Sequence, residues 1–153
     1  MESVWDYPRP PRLEPVSLPL KVVFADRTVA ETTRGLRVLE TSLAPGYYFP
    51  PEDTDMTLLR PNARKTLCEF KGWAVYWDIA VEGRASAAAA WSFPDPLSDY
   101  FPLEDYLAFY PRAVDACMVG GETVQAQPGD FYGGWITSDL QGPFKGAPGS
   151  EGW

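Results

Sequence analysis

Histidine is absent from all 153 residues of the chain, and cysteine occurs only twice, at Cys68 and Cys117. Without histidine, no Ser-His-Asp triad, Cys-His dyad or imidazole base can be assembled. A tetrahedral structural zinc site needs four ligands, usually thiolates and imidazoles, and two cysteines cannot supply them. The sequence therefore predicts no zinc and no cofactor, whereas carboxylate binding of magnesium or calcium stays open.

The chain also lacks a long apolar run and an excess of positive charge. No apolar run approaches the roughly 20 residues that a membrane-spanning helix needs, and the first residues lack the basic and apolar regions of a signal peptide. The net charge of −8 repels polyanions, and there is no basic stripe. We therefore expect a cytoplasmic protein that binds neither membranes nor nucleic acid, with Cys68 and Cys117 as free thiols.

Apolar and aromatic residues are abundant, at 45% and 14% of the chain, so it should fold, and its length fits one domain. The 16 prolines and 13 glycines divide the sequence into short segments, which favours strands and turns over long helices. We predict a single, mainly β domain with at most short helices. Its expected parts are a Pro-rich arm over residues 1–19, a core over 20–126 and a Gly-, Pro- and aromatic-rich strap over 127–153.

Alternation of apolar and polar residues predicts most of the strands. Two hairpins are expected, one over Lys21–Glu31 and one over Val114–Gln125 with a Gly-Gly turn. Further strands are expected at residues 36–41, at 71–81, which carries the strongest alternation, and at the small residues 85–91. Residues 66–70 are expected to run into the strand at 71–81, with a bend or bulge at Gly72.

The segment Glu52–Arg60 is the best candidate for a short helix, with Asp or Thr at its N-cap and Pro61 ending it. Asp53 and Asp55 also have the Asp-x-Asp spacing that holds metal ions in nucleotidyl transfer. Because acidic residues are ordinary at the start of a helix, capping is the favoured interpretation.

Five segments occur in a specific order and spacing: Val29–Thr32, Val38–Thr41, Tyr47–Asp53, Cys68–Trp77 and Ala90–Pro94. This ordered set resembles the domain of unknown function 427 family over about residues 20–120. The resemblance implies a compact antiparallel fold similar to the β-tent domains, whose coiled sheets meet around a pocket. It implies no established activity. The four-cysteine zinc site of many β-tent relatives does not carry over, and the nucleotidyltransferase-like label sometimes attached to the family has only the Asp53/Asp55 spacing in its favour.

The candidate ligand-binding site consists of polar and aromatic residues at predicted strand edges. These residues are Glu40, Tyr47, Tyr48, Cys68, Lys71, Tyr76 and Trp91. If their segments are neighbours, the aromatic faces supply apolar contact while Glu40 and Lys71 orient a polar ligand. The alternative is an ion pair between Glu40 and Lys71 at the rim of a sheet, with the aromatic residues as core.

Three functions fit these residues. A small-molecule-binding domain fits the composition best. An enzyme would use Cys68 as nucleophile, or Lys71 and Glu40 for proton transfer, and these groups would need shifted pKa values. Metal-dependent nucleotidyl transfer is the other enzymatic alternative. An interaction module would bind a protein partner through the Pro-rich arm and the aromatic tail, and a homo-oligomer stays open.

Overall fold

Short strands dominate the computed structural model, which describes residues 1–153. In chain order the strands are β1 (Glu2–Ser3), β2 (Arg12–Val16), β3 (Leu20–Phe24), β4 (Arg27–Thr32), β5 (Gly35–Leu39), β6 (Gly46–Tyr48), β7 (Leu59–Cys68), β8 (Gly72–Val81), β9 (Arg84–Ser92), β10 (Leu107–Phe109), β11 (Ala116–Val119), β12 (Glu122–Thr123), β13 (Gln125–Ala126), β14 (Trp135–Ile136) and β15 (Leu140–Gln141). The helices are 3₁₀ turns at Val4–Asp6, Pro51–Asp53, Met56–Leu58, Ser98–Leu103 and Pro111–Ala113. The predicted mainly β fold with only short helices is confirmed. None of these helices has the length and apolar character that a membrane crossing requires.

Three antiparallel sheets form the framework. The first has the strand order β10-β9-β8-β7, the second β12-β11-β3-β4 and the third β2-β5-β6. Two pairs complete the fold: β13 pairs antiparallel with β14, and β1 pairs parallel with β15.

The first sheet separates two cores, because successive residues of a strand point to opposite faces. In β10, Leu107 and Phe109 belong to a core of 18 buried residues that the first and second sheets share. Ala108 between them belongs to a core of 9 buried residues, which includes Val38 of β5 and Tyr48 of β6. The cavity described below lies on this second side of the sheet.

Both predicted hairpins are confirmed. Strands β3 and β4 are joined at Ala25 and Asp26, whose φ angles are 49° and 62°. Two successive residues with positive φ are typical of the type I′ turn, whose twist matches that of the strands. Gly120 and Gly121 form the corresponding turn between β11 and β12, with φ angles of 57° and 91°.

Residues 66–70 differ from the prediction. They do not run into the strand that follows: residues 66–68 end β7, residues 69–71 form a turn, and the chain reverses into β8 with Cys68 opposite Gly72. Gly72 has a φ of 104°, which glycine adopts without strain. Alternation continues across this tight turn, and no Asn-Gly or Pro-Gly pair marks it, so the sequence pattern did not reveal a hairpin.

The expected helix over Glu52–Arg60 is reduced to two single turns. Between them, Thr54 is extended and forms a β-bridge to Ala30 of β4. The residue before a proline is disfavoured in the α conformation, and Arg60 before Pro61 accordingly lies in β7. Sheet contacts therefore replace the middle and the end of the helix.

The Pro-rich arm also contributes to a sheet. Residues Arg12–Val16 form β2 at the edge of the third sheet, where they pair with β5. Polyproline and β backbones are both extended, and an edge strand tolerates Pro15 because its outer side needs no N–H donor. The sequence therefore predicts an extended segment here without showing that it pairs.

Candidate functional site

A cavity of about 300 Å³ opens between the first sheet, the third sheet and the C-terminal strap. The structure brings six of the seven predicted site residues to its lining: Glu40, Tyr48, Cys68, Lys71, Tyr76 and Trp91. They come from β6, β8, β9, the end of β5 and the β7–β8 hairpin, which are distant in sequence.

Tyr47 is the predicted residue that does not reach the cavity. It precedes Tyr48 in β6, so the two side chains point to opposite faces of the strand. The Tyr47 ring lies 5.1 Å from that of Trp135, in the larger core. Burial raises the pKa of Tyr47, although Arg37 acts in the opposite direction. The structure thus assigns Tyr47 to the core.

Aromatic rings on neighbouring strands form the inner wall. The ring centroid of Trp91 lies 4.6 Å from that of Tyr110 and 6.2 Å from that of Tyr48. The Trp91 indole N–H donates a hydrogen bond of 3.3 Å to the Tyr48 hydroxyl. The hydroxyls of Tyr76 and Thr66 are hydrogen-bonded at 3.0 Å. These bonds fix the orientations of the Trp91 and Tyr76 rings in the wall.

Lys71 lies in the β7–β8 hairpin beside Cys68. Its backbone carbonyl accepts a hydrogen bond of 3.0 Å from the Leu97 N–H, which holds the turn in place. Its ammonium nitrogen lies 5.8 Å from the ring centroid of Phe93, within the cavity lining. No carboxylate oxygen lies within 4.0 Å of this nitrogen.

The electrostatics keep Lys71 charged. Burial by itself lowers the pKa of Lys71, but Tyr48, Cys68 and Glu40 act in the opposite direction, and the net effect is a raised pKa. Lys71 is therefore a cation at neutral pH. The Tyr48 hydroxyl keeps its proton, because burial raises the pKa of Tyr48 even though the Lys71 charge opposes this.

Glu40 has its own cationic partner. Its carboxylate lies 3.4 Å from the Arg9 guanidinium, and only 17% of its side chain is exposed. Arg9 also donates a hydrogen bond of 3.0 Å to the Thr41 carbonyl. The Glu40–Lys71 ion pair that was the structural alternative is therefore not formed.

The strap supplies the outer wall. A Cβ atom built on Gly133 would lie 2.3 Å from the Trp91 ring, so the strap backbone lies directly on the indole. The Tyr110 hydroxyl donates to the Phe131 carbonyl at 3.1 Å, which ties the strap to the end of the first sheet. Gln127, which is buried, accepts a hydrogen bond from the Ala44 N–H at 3.0 Å.

Sequence reasoning missed the residues that the two ends of the chain contribute to the lining. These include Arg9, Gln127, Phe131, Tyr132, Gly133, Gly134 and Lys145. The one available signal was the Gly133-Gly134 pair next to aromatic residues, since glycine marks places where backbones approach closely. The partner across that approach, Trp91, cannot be read from local sequence.

Asp53 and Asp55 lie outside the cavity lining. Asp53 accepts a hydrogen bond of 2.7 Å from the Thr32 hydroxyl, and this bond, with the nearby Arg34, lowers the pKa of Asp53. Asp55 caps the second 3₁₀ turn by accepting from the Thr57 N–H at 3.2 Å, which confirms capping there. No three His, Cys, Asp or Glu side chains are grouped so that they could hold a metal ion.

The fold and the cavity define the class: a mainly antiparallel β domain with one aromatic-walled cavity and a fixed cation in its lining. The chain belongs to the family described as Domain of unknown function (DUF427), whose model, named NTP_transf_9, matches residues 12–120. This match confirms the resemblance found in the sequence. No curated protein matches the chain. The matched region runs from β2 to the turn after β11, so Arg9 and the strap lie outside it.

Proposed function

We propose that this chain is a small-molecule-binding domain and that its ligand occupies the cavity between the sheets and the strap. The observation that carries this proposal is the convergence of Tyr48, Tyr76, Trp91 and Lys71 on one cavity of about 300 Å³. Ligand sites are typically concave, mostly apolar and aromatic, with a few polar groups that orient the ligand, and they start at roughly 300 Å³. The cavity has this composition and lies at the lower end of that size range.

The charges favour binding over proton transfer. A lysine acts as base or nucleophile only in its neutral form, and the raised pKa of Lys71 keeps it charged. The Glu40 carboxylate is already paired with Arg9. Lys71 is therefore suited to orienting a ligand by its charge. We also propose a cytoplasmic location, which the free thiols of Cys68 and Cys117 support.

A fragment screen followed by heteronuclear NMR tests the binding function. We expect bound fragments to shift the Trp91 indole and the amides of Cys68, Lys71 and Gly133. The control within the same spectra is the indole of Trp73, which is 57% exposed and absent from the cavity lining. Shifts that centre on Trp73 would instead favour a surface for a protein partner.

Thiol modification gives a second measurement. Cys68 lines the cavity and is half-buried, whereas Cys117 is buried in the larger core, where burial raises its pKa. Iodoacetamide should therefore modify Cys68 first, and a bound fragment should slow that reaction, as followed by mass spectrometry. Unchanged Cys68 kinetics with a saturating fragment would place that fragment elsewhere, and Cys68→Ser controls for reaction at Cys117.

A further inference from the structure

Tyr48 has a hydroxyl proton that no protein group accepts. The hydroxyl is buried, with 3% of the residue exposed, and its oxygen accepts the hydrogen bond from the Trp91 indole. A tyrosine hydroxyl can donate one hydrogen bond as well as accept. A buried donor without an acceptor is unfavourable, so a ligand oxygen at this point would stabilise the site.

Lys71 is the second donor without an acidic partner. Its ammonium carries three N–H donors and lies in the same lining as Tyr48. Since Arg9 holds the Glu40 carboxylate, no carboxylate lies within 4.0 Å of the Lys71 ammonium. A partly desolvated cation gains most from an anionic ligand, because charge-assisted hydrogen bonds are about twice as strong as neutral ones.

The charge balance of the cavity differs from that of the whole chain. Three cationic side chains, Arg9, Lys71 and Lys145, and two carboxylates, Glu40 and Glu69, line it. The lining thus carries one net positive charge in a chain with a net charge of −8. The charge of the lining is therefore opposite in sign to that of the whole chain, so an anion is attracted at the cavity although the net charge of the chain repels it.

The size and walls of the cavity limit the rest of the ligand. Water occupies about 30 Å³ per molecule in the liquid, so the cavity of about 300 Å³ holds a ligand of about ten to fifteen non-hydrogen atoms. Four aromatic residues line it, namely Tyr76, Trp91, Phe93 and Tyr110, and aromatic rings pack well against another flat ring. One or two fused rings with a carboxylate would fill this volume.

We propose that the cavity binds a small aromatic monocarboxylate, with one carboxylate oxygen on the Lys71 ammonium and the other on the Tyr48 hydroxyl. This inference rests on the proposed function and specifies its ligand class. The aromatic body lies against Trp91 and Tyr76, under the strap.

Matched probes test the ligand class on the full chain. Isothermal titration with naphthoate and with naphthamide compares an anion with a neutral compound of nearly the same shape. We expect naphthoate to bind about tenfold or more tightly than naphthamide, because one charge-assisted contact has at least that effect. Lys71→Met should weaken naphthoate binding by about tenfold and leave naphthamide binding unchanged. Lys71→Arg should retain most of the preference.

Control variants separate this site from general charge effects and from misfolding. Lys65→Met removes an exposed lysine of β7 that does not line the cavity, and it should leave naphthoate binding unchanged. Each lysine variant should keep the wild-type melting temperature to within a few degrees. Tyr48→Phe should weaken naphthoate binding several-fold more than naphthamide binding.

The outcomes distinguish the two proposals. Equal binding of naphthoate and naphthamide, insensitive to Lys71→Met but competing for the cavity, would overturn the carboxylate class and keep the binding function. Tighter binding of a naphthyl amine than of naphthoate would show that a carboxylate such as Glu40 orients the ligand, and it would also overturn the carboxylate class. Failure of both probes and of the whole fragment screen to occupy the cavity would remove both proposals.

Discussion

The indole N–H of Trp91 donates a hydrogen bond of 3.3 Å to the hydroxyl of Tyr48, and this bond joins β9 of the first sheet to β6 of the third sheet. The two rings meet edge to face, with an interplanar angle of 87°. The contact lies in the inner wall of the cavity, so it contributes to the stability of the fold as well as to the shape of the site.

Tyr48→Phe should lower the free energy of unfolding by about 1–2 kcal/mol, because it leaves the half-buried Trp91 N–H without its acceptor. Urea denaturation measures this as a lower midpoint with an unchanged slope. The matched control is Tyr106→Phe, since the Tyr106 hydroxyl makes no hydrogen bond and the residue is half-buried. That change should stay within about 0.5 kcal/mol. Equal effects of the two substitutions would show that the Trp91–Tyr48 bond adds no stability.

Gly133→Ala should displace the strap from the cavity. Its Cβ would lie 2.3 Å and 2.7 Å from two atoms of the Trp91 ring and 3.1 Å from Tyr110, and both rings are packed. Overpacking of this kind costs about 1–3 kcal/mol. We expect faster limited proteolysis within residues 127–146 and weaker fragment binding.

Gly152→Ala is the control for this prediction, because no atom lies within 4 Å of its added Cβ. Its stability and proteolysis rate should match those of the wild type. If Gly133→Ala behaved in the same way, the strap would be free to move away from Trp91 without loss, and its place as a cavity wall would be disproved.

Asp78 should contribute to the free energy of unfolding in a way that is lost in acid. Its carboxylate accepts hydrogen bonds of 2.8 Å from the Ala88 N–H and 2.8 Å from the Asn62 side chain, and these bonds lower the pKa of Asp78. A lowered pKa means that the unfolded chain binds a proton more readily than the folded one, so the contribution is complete above the unfolded pKa of about 3.9 and disappears as pH falls through the lower folded value.

Unfolding free energies of the wild type and of Asp78→Asn should therefore differ by a constant amount above about pH 5 and converge as the pH falls below the unfolded pKa. The control is Asp99→Asn, at an exposed aspartate with no hydrogen-bond partner, which should show no such convergence. A gap between the wild type and Asp78→Asn that stayed constant down to the acid limit would contradict the role of the Asp78 charge.

Alternation with a period of two residues predicted the strands well, and it predicted which side chains share a face of each strand, because burial on one face is a local pattern. It placed Ala74 and Tyr76 on one face of β8 and Trp77 on the other, and the two cores divide in that way. The same rule separates Tyr47 from Tyr48, although the site prediction grouped them by chemistry. Alternation, applied to both tyrosines, would have excluded one of them from the candidate site.

Sequence patterns could not predict contacts between residues that are far apart in the chain. The Arg9–Glu40 ion pair depends on how the N-terminal segment returns to the end of β5, and the Gly133–Trp91 contact joins residues more than forty positions apart. Such contacts depend on the packing of sheets, and no residue type or spacing encodes them locally. Charge composition alone therefore could not show that Arg9 rather than Lys71 neutralises Glu40.

The family match covers residues 12–120, yet the outer wall of the cavity comes from residues 131–134. The aromatic inner wall of the cavity thus lies mainly within the matched region, and the outer wall lies outside it. A relative that kept the strands but had a different strap would present the same aromatic inner wall as an open groove. The closure of this cavity therefore depends on a segment that lies outside the matched region.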